Sequence, residues 1–399
     1  MKYCILYLTF TLTLFYSGLF AIDVDNSQLT LAQSKVGLSA PYIPTSGTYK
    51  VLVIFIKFSD DNYDSPPLTD QWPSTLNTLP SWAIDIISPT VESDYEDPSL
   101  SGYFHTMSQG NYNLIGDVYP ILYIPLNNQS YYFQSSGRGI EYLTEEIFTE
   151  LNQFIDYSQY DGDNDGYVDM IFLCFRNINI AQLDGSGYWG ICSLTGFSNS
   201  FPSGSYLLFD GVKIEAGAGG SGTIQRDIYD PHYLGTIIHE FGHYLYGFVH
   251  FTKIGEWGIM DGKGTACMSS FERERLGWIN IPILNSTYSQ TITLNDAFSS
   301  GGVYKVPISG TSSYYYIENR TRQNFYESEW QDGAGNIFVP GDGLLITKAI
   351  PSVNSFSVNV QCADGLWDWE KSRSYYLYPF QKITENTSSG LDEMDLRDV

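Results

Sequence analysis

Residues 230–261 read DPHYLGTIIHEFGHYLYGFVHFTKIGEWGIMD, and the rest of the chain is best read outward from this stretch. At its centre His239, Glu240 and His243 form an H-E-x-x-H pattern. On a helix, residues four apart share a face one turn apart, so two imidazoles can converge on one metal ion. The helix has its own signals. Asp230 is suited to cap the free N–H groups, and Pro231 stands at a first helical position, where its missing N–H costs nothing. Leu234, Ile237, Ile238, Phe241 and Leu245 make an apolar stripe at helical spacing, which predicts a face turned to a core. Gly247 is a natural stop, so the predicted helix runs from Pro231 through Tyr246. Beyond that turn His250 offers a third nitrogen.

Two histidines and a third protein ligand leave an open position on zinc, which is the arrangement of a catalytic site. Water at that position loses a proton near neutral pH. Glu240 is placed to take that proton and later pass it to a leaving amine. The bland alternative is a core helix carrying two satisfied histidines. Against it, three of the chain's five histidines, His239, His243 and His250, fall within twelve positions.

A second motif lies upstream. Residues 161–169, DGDNDGYVD, alternate carboxylates around Gly166 and match the first half of an EF-hand loop. The loop departs at its twelfth position, where Phe172 replaces the bidentate glutamate. The expected calcium ligands are Asp161, Asp163, Asp165 and Asp169, with the backbone carbonyl of Tyr167. The competing reading is an acidic turn held by Asx hydrogen bonds.

The chain has 399 residues, enough for two structural units, and 43% are hydrophobic. That content argues for a folded protein, and a net charge of −25 argues against nucleic-acid binding, which needs clustered Lys and Arg. Residues 1–21 read as a secretory signal peptide, with Lys2 ahead of the apolar run from Ile5 to Phe20. No later segment resembles a membrane span, so the expected location is extracellular, with no stable membrane insertion after cleavage. Residues 22–48 read as a leader or short pro-segment. The mature chain keeps Cys174, Cys192, Cys267 and Cys362, which permit two disulfides in three connectivities. Zinc binding by thiolates lacks its usual C-x-x-C spacing.

Lys50 to Phe58 (KVLVIFIKF) predicts a buried central strand, and Asn111 to Ile124 a strand pair. Apolar residues at Ile140, Leu143, Ile147, Leu151 and Phe154 predict a helix, followed by a strand from Met170 to Phe175. Residues 211–222 predict a short strand and a glycine-rich loop. Beyond Trp278 the chain turns β-rich, with strands expected at 304–306, 314–318 and 343–347. A soft boundary near residue 281 separates a unit over 49–280 from a β-rich region over 281–399.

In order, the chain carries KVLVIFIKFSD, SGYFHTMSQGNYNLIGDVYP, DGDNDGYVDMIF, HEFGH, EWGIMDG, FERERLGWI, YYYIENR, PGDGLLI and CADG. With this set it resembles the immune inhibitor A-type family of secreted zinc metallopeptidases, zincins with a metzincin-like extended motif. The resemblance implies an α+β fold: a zincin-like domain with a twisted mixed sheet and an active-site helix, then a β-rich region. It implies zinc on His239 and His243, Glu240 as catalytic base, Met260 in a turn beneath the metal, and protein or peptide substrates. The sequence departs at the third ligand, since Gly247 and His250 each fall one position late in the extended pattern. His250 remains the choice, with Glu256, Asp261 and Glu272 as rival carboxylates. Thr347-Lys348 also stand where the family has a tryptophan–histidine pair. A different class of function, a non-catalytic extracellular binding or adhesion module on a calcium-stabilised zincin fold, is the alternative.

Overall fold

In the computed structural model, the described residues are 44–361, apart from 63, 65–71, 96–98, 133–138, 178–189, 196–200, 224–233, 247–249, 253, 255–256, 261–266, 300, 322, 324, 328–329, 332–336, 339–342 and 352–355. The expected signal peptide, nearly all of the leader, the Asp230 and Pro231 start signals, Gly247, Glu256, Asp261 and Cys362 lie outside the described residues.

The run KVLVIF forms most of β1 (Gly47–Ile56), which lies between β2 (Tyr112–Val118) and β3 (Met170–Phe175), parallel to both. Val51 to Ile56 are buried on both faces, which is why this strand reads as a continuous apolar run. Then come β4 (Gly190–Ile191), the hairpin of β5 (Tyr206–Phe209) and β6 (Val212–Glu215), and β7 (Gly219–Thr223). The first sheet has the order β2-β1-β3-β7-β4, parallel except for the antiparallel edge strand β4.

Two expectations need correction here. Residues 111–124 give one strand, not a pair. After β2 the chain reaches Pro120, which has no N–H to donate, and only an isolated bridge from Ile56 to Tyr123 follows. The glycines at 219–222 are not a loop but strand β7. A Cβ on Gly219 would stand 2.2 Å from the carbonyl oxygen of Ile171, so the glycine answers a close approach of two backbones.

The helices are α1 (Leu100–Ser108), α2 (Gln129–Tyr132), α3 (Gly139–Leu151), α4 (Gly235–Tyr246) and α5 (Ser270–Arg275). One sheet face, with Leu52, Ile54, Ile171 and Leu173, packs on Ile140, Leu143, Ile147 and Leu151 of α3. Phe154, expected on the same stripe, falls past the helix end and is exposed. The opposite face, with Val51, Val53, Met170 and Phe172, belongs to a core shared with α1 and with the expected stripe of α4. All five residues of the expected stripe are buried, Leu234 just ahead of α4 and the other four within it.

The second sheet contains β8 (Phe251–Thr252), β9 (Val303–Pro307) and β10 (Tyr314–Arg320). A ribbon of β11 (Trp330–Gln331) and β12 (Ile337–Phe338) follows, then β13 (Gly343–Pro351) and β14 (Phe356–Val360) return to that sheet. Its order is β8-β14-β13-β10-β9, so the three strands expected beyond Trp278 are present. Strand β8 directly follows His250 and pairs in parallel with β14, so the sheet crosses residue 281. The core crosses it too, since Phe241 shares a cluster with Ala297, Val303, Tyr316, Leu345 and Val358. The architecture is mixed, with two main sheets and few helices, compatible with the α+β class. No helix among the described residues is long and apolar enough to cross a membrane.

Candidate metal centre

Helix α4 lies over β7, and its register is set by burial of Leu234, Ile237, Ile238, Phe241 and Leu245. That register turns His239 and His243 together on another side, with ring centroids 4.9 Å apart. His250 comes from outside the helix. Its ring centroid is 5.3 Å from that of His239 and 4.9 Å from that of His243. One nitrogen from each of the three lies within 4.8 Å of the others, so the set can hold one ion. The extra residue before Gly247 therefore does not carry His250 away. The amide of Phe251 donates to the carbonyl of Met260 at 2.9 Å, which anchors the chain next to His250.

The donor set fits zinc on a second count. Nδ1 of His239 lies 2.6 Å from the carbonyl oxygen of Ile259 and must donate a proton to it. That bond selects the tautomer with an unprotonated Nε2, as is usual for a histidine that binds a metal. Burial, with His250 as a smaller influence, pushes the His239 pKa down to about 4, so the ring is neutral at pH 7.

Beneath α4, Met260 is fully buried, and a Cβ on Gly242 would stand 2.4 Å from its Sδ. Position 242, between the two motif histidines, is thus held to glycine by the turn packed under it. Glu272 holds that turn. Its Oε1 accepts from the amides of Ile259 and Met260 at 2.9 and 3.1 Å. Its Oε2 accepts from the amide and hydroxyl of Ser269 at 2.8 and 2.9 Å, closing a capping box on α5. The rival carboxylate is therefore occupied in fixing residues 259–260, whose Ile259 carbonyl in turn orients His239.

Burial lifts the Glu272 pKa to about 7, against the pull of those donors. The folded value lies above the 4.5 of an ordinary glutamate, so the native protein keeps this proton where the unfolded chain has lost it. Its contribution to stability is fully present below about pH 4.5 and declines as the pH rises through about 7. Glu272→Gln is expected to flatten that decline, read from urea midpoints at about pH 5 and about pH 8. An unchanged slope in the variant would assign the pH dependence to other groups.

In the acidic loop, Asp161, Asp163 and Asp165 each bring one carboxylate oxygen within 4.8 Å of the others. Asn164 and Gly166 take left-handed backbone conformations that curl the loop around them. The Asx bonds of the competing reading are also present. The amide of Asp165 donates to Asp161 at 3.0 Å and to Asp163 at 3.2 Å, and that of Gly166 donates to Asp161 at 3.0 Å. Asp169 stands outside the three-carboxylate group and accepts from the amide of Gly162 at 2.7 Å. Burial, with the neighbouring carboxylates adding, raises its pKa to about 7. The amide of Tyr167 donates to Asp165 at 2.9 Å, and the residue bridges Lys213.

Cys174 and Cys192 are buried thiols outside any disulfide among the described residues, so none of the three two-disulfide connectivities that the four cysteines permit is present. Three features of the centre had no signature in the sequence: the Ile259 carbonyl, the Glu272 clamp and the approach of Cys192 to Glu240 and His243. Only their positions near the motif, or a C-x-x-C partner for Cys192, could have marked them. No family model and no curated protein matches this chain.

Proposed function

We propose that the protein is a secreted zinc-dependent endopeptidase on a zincin-like fold. The observation that carries this reading is the convergence of His239, His243 and His250, with the Glu240 carboxylate within 4.8 Å of a His243 nitrogen. Zinc, when bound, supplies Lewis acidity and makes water a nucleophile near neutral pH. The chain's own residues do the rest. The three histidines bind the ion, and Ile259 fixes the ring of His239 through its carbonyl. Glu240 accepts the proton of the attacking water on a carboxylate oxygen and delivers it to the leaving amine. A peptide needs an extended seat, and β4 supports one as the edge of its sheet, where another strand can add. Metal analysis with casein hydrolysis tests the reading: zinc near one per chain, and cleavage lost on chelation and restored by zinc. A zinc-free protein, or one that holds zinc and cleaves no peptide bond, would leave a binding module as the better account.

The same reading takes calcium at the acidic loop, on the strength of its three converging carboxylates. A cation bound only by the folded state raises stability by about 2.7 kcal/mol at a hundred times its Kd. Chelating calcium is accordingly expected to lower the melting temperature, and Asp163→Ala with Asp165→Ala to remove that sensitivity. A wild-type melting curve indifferent to calcium would favour the Asx-bonded turn.

A further inference from the structure

We propose a second metal site, built by Cys192, Glu240 and His243, which takes a soft divalent cation such as Cd2+ or excess Zn2+ and switches the first centre off. Each of these three residues offers one donor atom within 4.8 Å of the others. Cys192 follows directly on the edge strand β4 and is a buried thiol outside any disulfide. Its place against the helix is fixed from the helix itself. The hydroxyl of Tyr244, next to His243 in sequence, donates to the Cys192 carbonyl at 2.8 Å and also bonds the Gly219 carbonyl.

Thiolate, imidazole and carboxylate are zinc-type donors, and the sulfur selects Zn2+ or Cd2+ over Ca2+ and Mg2+. Binding forms a sulfur–metal bond and releases the S–H proton to solvent. Burial alone would keep that thiol protonated, and the charge of the cation is what overcomes it. The consequence follows from the shared residues. His243 belongs to both donor sets, and Glu240 cannot accept a proton from water while its carboxylate holds a cation. The inhibition rests on the peptidase reading above, whereas the binding does not. Simple packing of a core cysteine would account for burial but gives no reason for the thiol to meet Glu240 and His243.

The test uses the full chain loaded with one equivalent of zinc and titrated with Cd2+, following thiolate-to-cadmium charge-transfer absorption in the ultraviolet. The wild type is expected to gain the band, and Cys192→Ser and Cys192→Ala to lose it, although both keep the other thiols. His239→Ala breaks the three-histidine set and leaves the thiol set whole, so its band should persist. Melting curves on each variant confirm that a lost band is not a lost fold. In casein hydrolysis, activity of the wild type should disappear at excess zinc, and that loss should be absent from Cys192→Ser. No band in the wild type, or an equal band in folded Cys192→Ser, overturns the proposal. A Cys192-dependent band in a protein that hydrolyses nothing supports the second site and overturns the peptidase reading.

Discussion

Glu240→Gln is expected to keep the fold and the zinc of the wild type while losing hydrolysis by about 10²–10⁴-fold, the usual contribution of a positioned general base. The amide is nearly isosteric with the carboxylate, so the packing of α4 has no reason to change. The stripe that holds the helix, from Leu234 to Leu245, lies in the core, and Glu240 is only half-buried. The amide oxygen is too weak a base to take a proton from water, so turnover should collapse with metal content unchanged. Steady-state cleavage of a peptide substrate, zinc analysis and a melting curve on the same preparation check all three statements. Turnover equal to that of the wild type would assign the base to another group.

The other large effect concerns His250, the proposed third ligand, which lies outside the helix. His250→Ala should weaken zinc binding by more than about 100-fold, beyond what loss of an outer hydrogen-bond partner usually costs. His239 and His243 then remain as a two-nitrogen site on adjacent turns, insufficient for a buffered zinc level. Glu272→Gln provides the contrast. Its carboxylate is spent on the amides of Ile259, Met260 and Ser269, so zinc should stay while the turn loosens. Competition against a chelator of known affinity measures both variants. Stoichiometric zinc in His250→Ala together with zinc loss in Glu272→Gln would move the third ligand to a carboxylate and remove the metzincin-like grouping. The peptidase reading would survive that result.

Several parts of the molecule were legible because their causes are local. The i, i+4 spacing of His239 and His243 fixes their shared face wherever the helix forms. The apolar run of β1 announces burial on both faces, and the period of Ile140, Leu143, Ile147 and Leu151 announces a helix. The acidic loop was legible for the same reason, since Asp161, Asp163 and Asp165 need only a left-handed turn at Asn164 and Gly166 to converge. Local reasoning failed where neighbours decide. The glycines at 219–222 resemble a loop until Ile171 is placed against Gly219, when the absence of side chains becomes the requirement for a strand. Asp169 belongs to the acidic motif by spacing, yet its carboxylate is drawn to the amide of Gly162.

By itself, then, the amino-acid sequence determined the helix with its paired histidines, the central strands, the acidic turn and the β-rich close of the chain. Each depends on spacing within a few residues. Only the tertiary structure decided what surrounds that helix. It brought His250 to the histidine pair, although its place in the motif is one residue late. It spent Glu272 on a turn thirteen residues upstream, although its chemistry suits a ligand equally well. It also set Cys192 beside Glu240 and His243 across a long stretch of intervening chain. The reason is the same in each case. A side chain's donors are claimed by whatever packing brings within hydrogen-bond or metal-binding distance, and that packing depends on burying apolar faces that the donors themselves do not encode.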